Sequence, residues 1–324
     1  MWSQRLVAPR TFEVGEIPSL SAADLKPNQV LLRTLAGGIC GSDLPQFKGV
    51  RGIGALDGSG SLAPLAWGHP MHEVTAEVVA STASGLEPGM RVVGWATGFD
   101  AVQELVISNA SDVVPYDPAL PPTTAVLIQP LACVMYAVEQ LSAVSGAHAA
   151  VIGQGPIGVL FSHVLKSCGA ARVTGVDLVD RADVAATFGV DDTVHAGSAR
   201  WAGSLTDEHR PAIVVEAVGH QVGTLADACT AAAFGAQIFY FGIPDDVVYP
   251  LPMSVFLRKN LGLRSGTTME RTRVLSEAGT YLQQHPELTT QYVTDVLPAD
   301  KVQEAFDRAV RPAPGQLKIV IEMP

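Results

Sequence analysis

The stretch VIGQGPIG, Val151–Gly158, sets three glycines in the spacing GxGxxG, with Gly153, Gly155 and Gly158 at the marked positions. The apolar run HAAVIG before it reads as a strand, and PIGVLFSHVLKSCG after it reads as a helix closed by glycine. In that context each glycine has a task. Gly153 permits a tight turn, Gly155 lets backbone approach a pyrophosphate, and Gly158 packs helix on strand. Pro156 and Ile157 open the helix, whose positive end faces the phosphates. The next strand reading, RVTGVD, ends at Asp177, about 20 residues beyond the last glycine, where a carboxylate can accept hydrogen bonds from ribose hydroxyls. Asp177 therefore favours NAD over NADP by repelling a 2′-phosphate, and Arg181 close behind it is the residue that argues the other way. The competing reading, glycines as plain turn residues and Asp177 as a strand-end cap, leaves the coincidence of strand, loop, helix and acid unexplained.

Working outward, the alternation continues. AIVVEAVG and AQIFYFG read as strands, and ADVAATFG and TLADACTAAAFG as helices. Strands alternating with helices of this length mean right-handed βαβ units and a parallel sheet. The expected fold class is α/β: a Rossmann-type doubly wound parallel sheet over 131–266, joined to a second, mostly β domain. That second domain is read from QVLLRTLAGG, EVTAEVVA, RVVGWA and QELVIS, short β runs punctuated by Gly, Pro and Ser. After LGLRSGTT the text turns helical in RTRVLSEAGTYLQQH and ADKVQEAFDRAV, and closes on the strand LKIVIEM. The glycine-rich stretch 48–67 reads as a long surface loop.

Composition bounds the function. The chain has 324 residues, 48% hydrophobic and 16% charged, with a formal net charge of −11, so it supports a large core in two domains and offers no basic stripe to nucleic acid or anionic membrane. The N-terminus carries no apolar core of signal-peptide length and no run approaches a membrane span; a soluble, cytoplasmic protein is the expectation. Its cysteines, Cys40, Cys133, Cys168 and Cys229, form no CxxC pair, against a disulfide framework and against a closed four-cysteine zinc site.

One segment raises a different chemistry. GGICGSDLPQFKG places Cys40 between glycines and before Ser42 and Asp43, and GHPMHEVTAEVV supplies His69, His72 and Glu73. A catalytic zinc takes about three protein ligands and keeps a position open, which Cys40, His72 and Glu73 could provide. A free cysteine is also among the most buried residue types, so the residues alone leave Cys40 open between core and metal.

These segments, together with QPLACVMYA, GQGPIG…GVD and VLPADKVQEAFDRA…LKIVI, follow one another in an order and spacing that resembles the zinc-dependent medium-chain dehydrogenase/reductases over essentially the whole chain, most closely their polyol branch. The resemblance implies a GroES-like catalytic domain formed by 1–130 and 267–324, with one catalytic zinc on Cys40, His72 and Glu73. His69 and Gln129 are the alternative ligands: the family's GHE is here interrupted as GHPMHE, and an amide stands at 129 where relatives carry an acid or cysteine. The cysteine-rich lobe that holds a structural zinc in relatives has no counterpart in VVGWATGFDAVQELVIS, so no structural zinc is expected.

The implied reaction moves a hydride between NAD(H) and a secondary alcohol or polyol, or its ketone, with zinc lowering the pKa of the substrate hydroxyl. Ser42 would relay the proton, Pro45 standing where relatives often have histidine, and Asp43 would orient a ligand. Glu73 would be a permanent ligand or one that exchanges with water. Val218 and Gly242, in EAVG and FGI at strand ends, would approach the nicotinamide, and Lys318 the pyrophosphate unless it is a solvated surface lysine. Trp95, Phe99 and Phe47 would line an apolar cleft. AQIFYFGI is expected as an edge strand, and its pairing across a two-fold axis, as the resemblance implies, would make a homodimer or homotetramer. Two competing readings are a zinc-free reductase of activated double bonds or quinones, and a non-catalytic dinucleotide-binding sensor.

Overall fold

The computed structural model describes residues 1–49 and 65–324, so most of the expected 48–67 loop lies outside the described residues. Two compact units divide the chain: Met1–Ala132, Met269–Arg311 and Gln316–Pro324 form one, and Cys133–Thr268 with Pro312–Gly315 form the other. Among the described residues no helix is long and apolar enough to cross a membrane.

In the first unit β1 (Trp2–Ala8) and β2 (Thr11–Glu16) make an antiparallel hairpin that the sequence reading passed over. It is followed by β3 (Gln29–Gly38), β4 (Glu73–Ser81), β5 (Arg91–Trp95), β6 (Leu105–Asn109) and β7 (Val113–Pro115). The second unit holds β8 (His148–Ile152), β9 (Arg172–Asp177), β10 (Asp192–His195), β11 (Ile213–Glu216), β12 (Gln237–Tyr240) and β13 (Gly262–Ser265). The chain then returns for β14 (Val293–Pro298) and β15 (Lys318–Glu322).

The second unit is a parallel sheet in the order β10-β9-β8-β11-β12-β13. The order runs outward in both directions from β8, so a crevice opens at the carboxyl ends of β8 and β11, where doubly wound sheets bind ligands. β8 is buried at Ala149 to Ile152 without a break, as a central parallel strand covered on both faces must be. Two expectations fail here. ADVAATFG forms hydrogen-bonded turns rather than a helix, because its start is tied to Pro312–Gly315: the Gly315 amide donates to Asp183 Oδ2 at 2.9 Å and Arg181 Nη1 to the Ala313 carbonyl at 3.1 Å. AQIFYFGI is also not an edge strand, since β12 lies between β11 and β13; the edge is β13, whose four residues are all exposed.

The first unit's larger sheet runs β14-β15-β3-β4-β5-β7, with β6 pairing β3 as well. Its core gathers Val30, Leu32, Val74, Ala76, Val92 and Ile319 with Phe47 and Phe306. Apolar residues burying one face of this mixed sheet, antiparallel except where β14 pairs β15 in parallel, under the helix Val302–Ala309 contribute most of this unit's core. The register that matters pairs Gly38 with Glu73 on one side and with Val320 on the other.

Candidate active site

The Gly38↔Glu73 pairing brings the end of β3 beside the start of β4. Cys40, just past β3, caps a single 3-10 turn, Gly41–Asp43, and that turn folds Asp43 back: Oδ2 accepts the Cys40 amide at 2.8 Å. Asp43 Oδ1 accepts from His72 Nδ1 at 3.1 Å, the pair being 2% and 10% exposed at the side chain. In its neutral form, with its Nδ1 proton on Asp43, His72 carries its lone pair on Nε2. Cys40, His72 and Glu73 each offer a ligand atom, all within 4.8 Å of one another. Burial opposes a charge on His72, but the Asp43 charge and hydrogen bond, helped by Cys40, outweigh it and hold the imidazole well above its ordinary pKa.

Glu73 is 0% exposed, and its Oε1 has no hydrogen-bond partner. Its Oε2 meets Lys318 Nζ at 2.5 Å in a close ion pair that lacks hydrogen-bond geometry. Lys318 is thus neither a solvated surface lysine nor, in its observed contact, a pyrophosphate ligand: β15 packs beside β3 and carries it, 1% exposed, onto Glu73. Gly38 makes the room, because a Cβ there would lie 2.5 Å from Glu73 Oε2 and 2.7 Å from Lys318 Cε.

Other candidates separate around this group. His69 stands outside it, near Asp100; burial pushes the Asp100 carboxyl up and the His69 charge pulls it back. Ser42 is half-buried on the Gly41–Asp43 turn, and Gln129 is 2% exposed in the first turn of the helix Ile128–Val138. Of the three aromatics, Phe99 packs its ring 5.1 Å from that of His72 while 46% exposed. Phe47 is core, stacked 5.9 Å from Phe12, and Trp95 is buried beneath the Arg271 guanidinium. The expected cleft lining thus fails for Phe47, which packs into the sheet–helix interior.

In the second unit the glycine loop shows why each position lacks a side chain. Gly153 has φ +90°, and a Cβ on Gly158 would sit 1.7 Å from the Gly153 carbonyl oxygen. Gly155 caps the helix Pro156–Ser167, and its missing Cβ faces open space, the gap a phosphate needs to reach the helix end. Asp177 accepts the Gln154 amide at 2.6 Å and the Val179 amide at 2.7 Å. Arg181 is not aimed beside it as the sequence suggested: it is 5% exposed and donates to the Ala313 carbonyl.

Val218 and Gly242 lie where β11 and β12 end, and a Cβ on Gly242 would fall 2.1 Å from the Gly219 nitrogen. Two residues the sequence reading missed hold these turns. Glu216 Oε1 accepts the Val218 and Gly219 amides at 3.1 and 3.2 Å, its carboxyl pushed up by burial against those bonds. Gln154 tucks beneath the glycine loop and accepts from Ser162 at 3.2 Å; Gly175 leaves the space for it. The x of GxG is ordinarily unreadable, and only the missing side chain at Gly175 hints at it.

Two family models match the chain: "Alcohol dehydrogenase GroES-like domain" over residues 26–117 and "Zinc-binding dehydrogenase" over 156–282. Among curated relatives, D-altritol 5-dehydrogenase of Agrobacterium fabrum is 26% identical, covering 90% of this chain and 92% of its own. L-arabinitol 4-dehydrogenase of Hypocrea jecorina is 24% identical over 93% of this chain and 87% of its own. Among solved structures, the alcohol dehydrogenase TADH from Thermus sp. ATN1 superposes with a TM-score of 0.80 at 22% identity, covering both chains fully.

Proposed function

Because the chain belongs to the zinc-type medium-chain alcohol and polyol dehydrogenases, we propose that Cys40, His72 and Glu73 hold its catalytic zinc, and that Gly153–Gly158 with Asp177 holds NAD. It is an oxidoreductase of the alcohol/polyol type that uses zinc and a nicotinamide cofactor. The observation that carries the site assignment is the approach of three ligand atoms within 4.8 Å, one of them oriented by a buried carboxylate. A soft thiolate, an imidazole and a carboxylate are a donor set suited to zinc. Once bound, zinc would lower the pKa of a substrate hydroxyl and the nicotinamide would take the hydride from its carbon.

The chain's own residues do the rest. Asp43 fixes the His72 tautomer and, through the Cys40 amide, the turn that presents the thiol. Ser42 Oγ, on the same turn, would accept the substrate proton while passing its own hydroxyl proton on to water or the cofactor ribose, since Pro45 bears no proton-carrying group. Phe99 covers the exposed side of His72 and gives the substrate carbon an apolar wall.

For the cofactor, Asp177 accepts the ribose hydroxyls and repels a 2′-phosphate, and Arg181, occupied at Ala313, does not offset that charge. The substrate is a secondary alcohol or polyol, or its ketone, the class on which its named relatives, D-altritol 5-dehydrogenase, L-arabinitol 4-dehydrogenase and (R,R)-butanediol dehydrogenase, act. The exposed edge β13, which carries the exposed Leu263, supports a homodimer built by pairing this strand with a second copy; the protein would act in the cytoplasm.

Metal analysis of the chelator-washed and zinc-reloaded protein beside Cys40→Ser tests the reading. About one zinc per chain, lost in the variant together with NAD-linked alcohol oxidation, is the expected result. A wild-type chain that takes up no zinc overturns it.

A further inference from the structure

The turn after β5 holds Phe99 in a conformation its residue type resists. Phe99 has φ +57°, a left-handed backbone that a bulky side chain adopts only where its surroundings impose it. Both of its backbone groups are tied down: its amide donates to the Ala96 carbonyl at 3.0 Å, and its carbonyl accepts from the Met71 amide at 3.0 Å. The same turn hangs on a candidate ligand, since the Ala96 amide donates to the His72 carbonyl at 2.8 Å. The backbone so fixed sets the Phe99 ring 5.1 Å from the His72 ring and leaves it exposed. The rest of the turn has no polar side chain to spare. Ala96 and Gly98 carry none, and the Thr97 hydroxyl is engaged twice, donating to Asp112 Oδ2 at 2.6 Å and accepting from the Asn109 amide at 2.9 Å.

We propose that Phe99 is a specificity-determining residue that selects a secondary alcohol with an apolar chain against a polyol. The inference rests on the zinc reading above and narrows its substrate class. A substrate held at Cys40, His72 and Glu73 meets the phenyl ring beside His72. An alkyl chain gains by burial there. A hydroxyl on a neighbouring carbon would instead lose its water against the ring and find no partner on the turn. The strained backbone is what keeps the ring in that place, because a relaxed φ would swing it off the imidazole.

The test compares two six-carbon alcohols, 2-hexanol and D-glucitol, in wild type, Phe99→Asn, Phe99→Gly and Phe99→Leu, each checked for zinc content. Binding of 2-hexanone to the NADH complex, followed by fluorescence, is the readout independent of turnover. Wild type should favour 2-hexanol in kcat/KM by about a hundredfold, the order of rejection an apolar pocket achieves against an added hydroxyl. Phe99→Asn suits left-handed backbone and replaces the ring with an amide, so that preference should fall by about tenfold or more, and 2-hexanone should bind about tenfold more weakly, at unchanged zinc content. Phe99→Gly removes the ring without strain and answers the question if Phe99→Asn does not fold. Phe99→Leu, still apolar, should stay within about threefold of wild type. Zinc-loaded wild type that oxidises D-glucitol as readily as 2-hexanol, or neither, overturns the proposal while leaving the zinc site standing. A preference unchanged in a folded Phe99→Asn or Phe99→Gly, or lost equally in Phe99→Leu, does the same. Failure of wild type to bind zinc overturns both.

Discussion

Asp43→Asn removes one charge and no volume at the point where Cys40 and His72 are held together. In the wild type Oδ2 accepts the Cys40 amide and Oδ1 accepts from His72 Nδ1. An asparagine cannot serve both. If its NH2 faces Cys40, two donors confront each other; if it faces His72, the imidazole must carry its proton on Nε2, the nitrogen we propose for the metal. Either arrangement loses one charge-assisted bond in a site 2% exposed at residue 43. Outer partners of metal-bound histidines are worth roughly 10–100-fold in affinity, about 1.4–2.7 kcal/mol.

An opposing effect runs through the proton. Burial disfavours the His72 imidazolium, but Asp43 more than offsets it, so the metal-free imidazole titrates well above 6.5. Zinc must expel that proton, and Asp43→Asn, by lowering the pKa, eases the competition. The deficit of the variant should therefore be larger at pH 8.5 than at pH 6. The same raised pKa stabilises the zinc-free fold fully below about pH 6.5, and that contribution is lost as pH rises through the folded value. Chelator competition at both pH values, with circular dichroism to verify folding, measures the effect. Affinity within twofold of wild type at pH 8.5, or a deficit that grows on acidification, would refute the orienting role.

Three further outcomes follow from the geometry. Gly158→Ala drives a methyl into the Gly153 carbonyl, 1.7 Å away, and should weaken NADH binding more than about tenfold in fluorescence titration without changing zinc content; unchanged binding would mean that helix and loop separate freely. Asp177→Ser removes the acceptor of the Gln154 and Val179 amides and the charge proposed for the ribose, so the NAD-to-NADP ratio of kcat/KM should fall by about tenfold or more, and a constant ratio would remove Asp177 as the discriminator. Lys259 Nζ donates to the Cys229, Thr230 and Ala232 carbonyls at the end of the helix Thr224–Ala231; Lys259→Met should cost about 1–2 kcal/mol in urea unfolding, and a loss below about 0.3 kcal/mol would show that water replaces it.

What could be read in advance was local. VIGQGPIG, its flanking apolar runs and Asp177 lie close together in the chain, and the physics of a tight turn under a helix end is written in adjacent residues. The failures are of the opposite kind. ADVAATFG carries a helical pattern, yet the Asp183 carboxylate and Arg181 are claimed by Gly315 and Ala313, more than a hundred positions away. AQIFYFGI looked like an edge because its neighbour β13, Gly-Leu-Arg-Ser, has no apolar run of its own; an outermost strand buries little and leaves a weak signal.

The same distinction sorts the active-site residues. GHPMHE offers two histidines of equal chemistry, and composition cannot rank them. Register can: Glu73 opens β4 opposite Gly38, so the preceding residue, His72, meets the turn after β3, while His69 falls beside Asp100. Lys318 shows the limit of a positional reading. Its place in LKIVIE says only that it begins a strand, and the long side chain invites a surface or phosphate role. Its partner is decided by β15 lying against β3, which in turn lies against β4, so that three strands distant in sequence place one ammonium over one carboxylate. A glycine at 38 is the only local mark of that meeting, and its meaning emerges only once both neighbours are known.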